Sequence, residues 1–145
     1  MAKAVEIKGI DKVIKKFKTL PDDLREEIDM ECLDSAKIIE KNAKRDAPKD
    51  TGFLANRISH YPTSPTGKMD YNVTSGADYS AFVEFGTGAM VDVPQGLETY
   101  ALQFKGAGKR QVNLPARPFF FVNVFKEEAE LVKRIKAVIK ALNKK

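Results

Sequence analysis

The triplet Asp50-Thr51-Gly52 is the first place in this chain where the residue types could do chemistry. Aspartic proteases build their catalytic carboxylate around this triplet, and two such loops from a homodimer could share one proton between their aspartates. In those enzymes a buried apolar strand precedes the triplet, whereas residues 47–49 here are Ala-Pro-Lys after a charged stretch. We therefore predict a turn, in which Asp50 or Thr51 caps the chain and Gly52 supplies a backbone angle that other residues resist.

Two further motifs that could mark a cofactor or catalytic site are incomplete. Gly86-Thr87-Gly88 begins a dinucleotide fingerprint, but the third glycine, the helix that should follow and the ribose-binding acid are missing. His60 is the only histidine and has no nucleophile in a recognisable setting, and no His, Cys and carboxylate residues have metal-ligand spacing. The sequence predicts a non-enzymatic protein without cofactor or metal, in which these glycines let the chain leave a sheet sharply.

Glu84 is the most informative single carboxylate because its two neighbours in the chain are apolar. On a strand, this alternation places Glu84 on the opposite side of the sheet from those neighbours, together with Phe82. Two interpretations stay open. Glu84 is either a strand carboxylate in solvent, or an intersubunit partner for a basic group such as Arg117 or Arg57.

The run Arg117-Pro118-Phe119-Phe120-Phe121 packs three aromatic rings after a proline. Core packing explains some of them, but three consecutive phenylalanines cannot all face one core, whether the segment is helical or extended. We predict that at least one of them meets another chain, because exposed apolar patches beside an arginine are typical of interface anchors.

The hydrophobic pattern predicts an α+β fold in a single domain that covers residues 1–145. A small antiparallel sheet, a meander of three to four strands, packs against a long helix from the first half of the chain, and another helix ends the chain. The predicted elements are a short helix over 10–17, a long helix over 22–46, the meander over 54–85, a long loop with one extra strand over 86–113 and a C-terminal helix over 119–143. The predicted strands cover residues 54–61, 69–74, 79–85 and, within the loop, 98–104.

The composition, 43% hydrophobic and 31% charged, is that of a globular protein. No apolar run approaches the ~20 residues of a membrane helix, and the N-terminus has no apolar block that could serve as a signal peptide. Residues 126–145 carry seven Lys/Arg against three Asp/Glu, which could bind phosphates, although positive charge also complements the end of a helix. The single cysteine, Cys32, fits a reducing cytoplasm.

Three motifs occur in a specific order: Asp50-Thr51-Gly52 with Leu54, Tyr79 with the residues 83–87 (Val-Glu-Phe-Gly-Thr), and Arg117-Pro118-Phe119. In their order and rough spacing they resemble the tail-completion, or neck, proteins of long-tailed bacteriophages, a family that includes the lambda-like Z protein. The resemblance covers most of residues 5–143.

The resemblance implies a non-enzymatic virion protein of α+β fold that forms a ring at the head–tail junction, assembled in the host cytoplasm. Its expected partners are copies of itself, as a homo-hexamer, adjacent tail or connector proteins, and double-stranded DNA that passes through the lumen without sequence-specific binding. No cofactor and no membrane contact are expected. The alternatives are a tail terminator or other minor tail component of the same assembly, or, in a different class, a small basic nucleic-acid-binding module.

A ring needs two different patches on each subunit, and we expect them on the outward side of the 22–46 helix and at the sheet edge with Glu84 and the phenylalanine run. The loop over 86–113 is expected to reach a neighbouring ring, since long loops are usually functional or ordered by a partner. The predicted partner-interface residues are Asp50, Thr51, Gly52, Arg57, Phe82, Glu84, Gly86, Thr87, Arg117, Phe119 and Phe120.

Overall fold

A computed structural model describes residues 19–65, 69–106 and 112–142. These residues confirm the α+β class: a long helix, a two-stranded antiparallel sheet and a C-terminal helix. The predicted short helix over 10–17 lies outside the described residues. The elements are α1 (Asp22–Asp46), α2 (Phe53–Asn56), β1 (Ile58–Pro62), β2 (Tyr71–Ser75), α3 (Ser80–Phe85), α4 (Glu98–Ala101) and α5 (Phe121–Leu142), with 3-10 turns at Gly88–Met90 and Leu102–Lys105.

The helix α1 matches its prediction closely. Asp22 and Asp23 in the first turn and Lys44 and Arg45 in the last turn complement the helix dipole. The helix ends where Ala47, which precedes a proline, adopts an extended conformation. The buried side chains of α1 are Leu24, Ile28, Ser35, Ala36 and Ala43.

The sheet contains two strands among the described residues, so the predicted meander of three to four strands is wrong. β1 and β2 pair antiparallel, with Ile58 opposite Ser75 and Pro62 opposite Tyr71. The predicted strand over 54–61 divides into α2 and β1, because the positive φ of Gly52 (76°) turns the chain into one helical turn before the strand begins.

The predicted strand over 79–85 is also wrong, since this segment forms α3. The N–H of Val83 donates to the carbonyl of Tyr79 at 3.2 Å, and the N–H of Gly86 donates to the carbonyl of Phe82 at 3.0 Å. An alternation over so few residues cannot distinguish a strand from a helical turn. The helical turn lets Glu84 and Phe85, which would lie on opposite sides of a strand, both become buried, with 5% and 3% exposure.

The long loop carries a short helix in place of the predicted strand over 98–104. Residues Glu98–Ala101 form α4, and a 3-10 turn follows. Leu97 and Ala101 are both buried against Phe85. Positions four apart share one side of a helix, so a helical turn buries both residues together.

The C-terminal helix α5 runs antiparallel to α1, since Asn123 near its start contacts Asp46 and Arg134 further along contacts Glu31. Its observed bounds, 121–142, lie within the predicted range. Beside it are two hydrophobic clusters. The first contains Ala43, Ala47, Leu54, Ile58, Ala77 and Phe119, and the second contains Phe85, Leu97 and Ala101.

Candidate functional site

Glu84 lies beneath the N-terminal end of α5. Its Oε2 accepts hydrogen bonds from the backbone N–H groups of Phe119 at 2.8 Å and Phe120 at 3.0 Å, and its Oε1 accepts one from Phe121 at 3.0 Å. The first N–H groups of a helix have no partner inside the helix, and the helix dipole favours negative charge at this end. Glu84 therefore caps α5 from a position 35 residues before Phe119 in the chain.

The predicted placement of Glu84 on a strand, facing the same side as Phe82, is wrong because both residues belong to α3. The two predicted arginine partners are placed differently. The guanidinium of Arg57 lies over the ring of Phe53, 4.9 Å from its centroid, and Arg117 is exposed. Within the subunit, backbone N–H groups bind the carboxylate, an arrangement that neither open interpretation includes. The sequence gives no local signal for it, because capping residues normally lie within a few positions of the helix start.

Thr87 holds the returning end of the long loop. Its N–H donates to the carbonyl of Leu114 at 2.9 Å, and its Oγ1 accepts from the N–H of Leu114 at 3.0 Å and donates to the carbonyl of Val112. The N–H of Ala89 adds a bond of 2.9 Å to Oδ1 of Asn113. These bonds close the base of the loop just before the chain enters the phenylalanine run.

Gly86 allows this close approach. Its φ is 74°, and a Cβ at this position would lie 2.6 Å from the carbonyl oxygen of Leu114 and 2.7 Å from both the nitrogen of Ala116 and the carbonyl oxygen of Met90. Only glycine fits such a position, on grounds of both backbone angle and space. The predicted sharp departure of the chain is thus present, but the chain leaves a helix and not a sheet.

We call these contacts the α3–α5 junction; it comprises Glu84, Gly86, Thr87, Leu114, Phe119, Phe120 and Phe121. The junction brings together five of the predicted interface residues from two separate motifs of the sequence. It is a folding contact within one subunit: Glu84, Gly86 and Phe119 are buried in it. An additional intersubunit role for these residues stays a prediction.

The three consecutive phenylalanines divide between the two hydrophobic clusters. Phe119 belongs to the first cluster and is 1% exposed, and Phe120 packs against that cluster. Phe121 packs against the second cluster. The prediction that they cannot share one core is confirmed, and the contact of one of them with another chain stays a prediction.

A row of aromatic rings runs from the junction to the surface at two points. The ring of Phe104 lies 5.1 Å from that of Phe82 and 5.8 Å from that of Phe85, and Phe85 lies 5.8 Å from Phe121. Phe121 lies 6.1 Å from Phe125. The two ends of the row, Phe82 and Phe125, are 45% and 44% exposed. Aromatic rings exposed to this degree are typical of interface anchors.

The Asp50-Thr51-Gly52 segment forms the predicted turn. Gly52 has the expected left-handed φ of 76°, and the N–H of Phe53 donates to Oγ1 of Thr51 at 3.4 Å. Asp50 and Thr51 are exposed. The position of Asp50 in solvent differs from the buried, strand-held carboxylate that an aspartic protease requires.

A second exposed aromatic patch follows this turn. The rings of Phe53 and Tyr79 stack with centroids 6.2 Å apart. The guanidinium of Arg57 also lies over the Phe53 ring, as a cation–π partner. Phe53 is 45% exposed and Tyr79 42% exposed. An arginine and two aromatic rings at the surface have the composition of a protein-binding patch.

The contact between α1 and α5 has a polar centre that the sequence did not reveal. Arg134 donates from Nη2 to Oε1 of Glu127 at 2.6 Å and to Oγ of Ser35 at 2.5 Å, and from Nε to Oε2 of Glu31 at 2.6 Å. Ser35 in turn donates to Glu127 at 2.8 Å. The hydrogen bond to Glu127 raises the pKa of Arg134 above its ordinary value. One feature of the sequence could have indicated this contact: Glu127 and Arg134 are seven residues apart, which places both on one side of α5.

The described residues, 19–65, 69–106 and 112–142, contain no group of three or more His, Cys, Asp and Glu side chains that could hold a metal ion. Among the helices in this part of the chain, none is both long enough and apolar enough to cross a membrane. The buried side chains of Glu84 and Asn123 bind backbone groups, and those of Ser35 and Glu127 bind each other, which is a structural use.

A comparison with known families identifies the first half of the chain. Residues 11–86 match the HK97-gp10-like family model, described as "Bacteriophage HK97-gp10, putative tail-component". The match spans α1, the sheet and α3, and it ends at Gly86 of the junction. No curated protein and no solved structure matches the chain. Because the matched residues make up more than half of the 145, the chain belongs to the HK97-gp10-like family of bacteriophage tail components.

Proposed function

We propose that this protein is a non-enzymatic structural subunit of the virion that forms a ring at the junction of head and tail, as a tail-completion or neck component. The family match supports a structural role in the tail. The finer assignment to the head–tail junction rests on the order of the three sequence motifs, which resembles that of the lambda-like Z proteins.

The observation that carries this proposal is the amount of aromatic surface left exposed in the single subunit. Phe53, Tyr79, Phe82 and Phe125 are each more than 40% exposed, and Arg57 lies within one of their patches. Aromatic residues and arginine are enriched where protein interfaces are strongest. These side chains have no catalytic partner in the described residues, so contact with other subunits is the use that their chemistry fits best.

A closed ring, which we propose to be a homo-hexamer, requires two different patches on each subunit. The exposed side of α1 and the aromatic surface around Phe82 and Phe125 are two such patches. The loop after α3 presents further apolar side chains, with Met90 53% and Leu102 47% exposed, and these would contact an adjacent tail or connector protein. Double-stranded DNA would pass through the lumen without sequence-specific contacts.

Deleting the coding sequence from the phage tests this role. The proposal predicts that heads and tails accumulate unjoined, visible by electron microscopy, and that expression of the protein in trans restores joined particles. Fully infectious particles without the protein would contradict it. Complete tails of abnormal length would instead favour a tail terminator or another minor tail component of the same assembly.

A small basic nucleic-acid-binding module is the alternative from a different class, and the exposed lysines of α5 are the observation that favours it. Such a module binds DNA with an affinity that falls steeply as salt rises, since bound lysines release counterions. A ring that only lets DNA pass needs no such affinity. Titration of labelled duplex DNA at low and moderate salt separates the two: tight, salt-sensitive binding would favour the module.

A further inference from the structure

The helix α5 carries a regular apolar repeat, and several of its side chains are exposed. Seven positions alternate in spacing between four and three, as the a and d positions of a coiled coil do. Those positions are Phe121, Phe125, Glu128, Val132, Ile135, Ile139 and Leu142. Six of them are apolar, and Phe125, Val132 and Ile139 are 44%, 45% and 38% exposed. We call these three exposed residues of the row, Phe125, Val132 and Ile139, the α5 seam.

The centre of the side of α5 that faces α1 is polar, and the half-buried Val124, Leu131 and Val138 flank it. Between residues 121 and 141, the buried side chains of α5 are Asn123 and Glu127. Together with Arg134 they contact α1. At 3.6 residues per turn, the exposed seam residues lie ~160° around the helix from these three positions. A surface helix normally buries its apolar face, so the exposure of the α5 seam leaves apolar surface that its own subunit does not cover.

A row of lysines lies beside the α5 seam. These exposed side chains are Lys126, Lys133, Lys136 and Lys140. One of them, Lys133, has its Nζ 2.7 Å from Glu130 of the same helix. The α5 surface is therefore apolar along its centre and positive along one flank.

The first half of α1 presents a surface of complementary charge. On one side of this half, the exposed side chains are Asp23, Glu26, Glu27, Met30 and Asp34, and Asp34 lies 3.5 Å from Nζ of Lys37. Met30, the apolar residue among these acids, is 58% exposed. This acidic face lies ~115° around α1 from the residues that contact α5, so it is open to solvent rather than turned toward its own α5.

We propose that the α5 seam and its lysine row dock on the acidic face of α1 in a neighbouring copy of this chain. The inference rests on the proposed ring and names the contact that would close it. Charge selects this partner: two α5 surfaces facing each other would bring lysine rows together, whereas the α1 face offers carboxylates around an apolar centre. Because the two surfaces are different and lie on different helices of one subunit, the contact is head-to-tail, as a ring requires.

Charge reversal tests the contact. One variant of the full chain carries Lys136→Glu and Lys140→Glu, and a second carries Glu26→Lys and Glu27→Lys. Each is predicted to raise the apparent dissociation constant of self-association by about tenfold or more, because like charges then face each other. The variant with all four changes, and an equal mixture of the two double variants, should regain association. Lys49→Glu with Asp78→Lys, which reverses two exposed charges outside both helices, is the control.

Sedimentation in an ultracentrifuge, with circular dichroism to show that every variant is folded, distinguishes the outcomes. Two results would overturn this contact while leaving the ring intact. In the first, the double variants associate as the wild type does. In the second, the four-change variant does not regain self-association. Variants that keep self-association but lose an adjacent tail protein would assign the surface to that protein and also overturn it. A wild type that stays monomeric alone and with its tail partner would overturn the proposed ring itself.

Discussion

The α3–α5 junction lies at the start of α5 and the α5 seam runs along the same helix, and the two use their residues in opposite ways. At the junction, a charged side chain is buried and all its bonds are made within the subunit: Glu84 is 5% exposed and binds three backbone N–H groups. Along the seam, apolar side chains such as Val132 are nearly half exposed. The comparison teaches that the two motifs containing Glu84 and Phe119 build the fold, whereas the surface that we propose for assembly carries no recognisable motif.

The largest expected effect is at Gly86. Gly86→Ala forces a Cβ into three backbone atoms at a backbone angle suited to glycine, so we expect it to lower the free energy of unfolding by roughly 3–5 kcal/mol. Gly96→Ala is the matched control, because Gly96 also has positive φ (85°) but open space around it. The control should lose only about 1–2 kcal/mol. Urea unfolding measures both, and equal losses would show that the close packing of the junction contributes little.

Removal of the charge that caps α5 should have the next largest effect. Glu84→Gln keeps the size of the side chain but loses one acceptor and the negative charge at the helix N-terminus, which should cost about 1–3 kcal/mol. Glu98→Gln is the control, because Glu98 accepts a hydrogen bond from Gly96 N–H at 2.9 Å but is exposed. Hydrogen exchange should accelerate at the amides of Phe119–Phe121 in the Glu84 variant. Unchanged exchange there would contradict the capping role.

The seam should respond in the opposite way to the junction. Val132→Ser should change the free energy of unfolding by less than about 1 kcal/mol, since the side chain is already 45% exposed, but weaken self-association by roughly 1–2 kcal/mol. Val112→Ser is the control: Val112 is 71% exposed and lies outside both α1 and α5. Thermal unfolding and sedimentation separate the two quantities. If both valines weaken association equally, the seam is not the contact surface.

The smallest expected effect is on acid stability. Hydrogen bonds from Arg45 and then Asn123 lower the pKa of Asp46 from 3.8 to about 2. Because the folded-state pKa lies below the ordinary one, the carboxylate stabilises the fold above about pH 3.8, and this contribution is lost as pH falls toward about 2. Asp46→Asn should remove that slope, which unfolding curves across this pH range would show. The effect is small because Asp46 is partly exposed.

The elements that the sequence predicted well are those whose pattern repeats often enough to be decisive. α1 and α5 each continue for more than 20 residues, so their apolar spacing identifies them as helices. α3 has six residues, and its alternation fits a strand equally well. Its helical form depends on contacts distant in sequence, with the start of α5 and with the short helix α4.

The candidate site was predictable in its members but not in its geometry. The two motifs containing Glu84 and Phe119 were identified as important, but their partnership joins positions 35 residues apart and has no local signature. The polar contacts between Arg134, Glu127 and Ser35 were missed because each residue alone fits an exposed helix position. The apolar repeat of α5 can be read from the sequence, but only the structure shows which of its residues face away from α1.

The mass of the protein in solution, measured alone and with the adjacent tail protein, tests the central claim most directly. If the surfaces exposed in the subunit serve assembly, the wild type should form closed rings, with six subunits as the expected number, in at least one of the two conditions. The Glu26→Lys and Glu27→Lys variant should remain folded and sediment as smaller species. A wild type that sediments as a single subunit in both conditions would contradict the account.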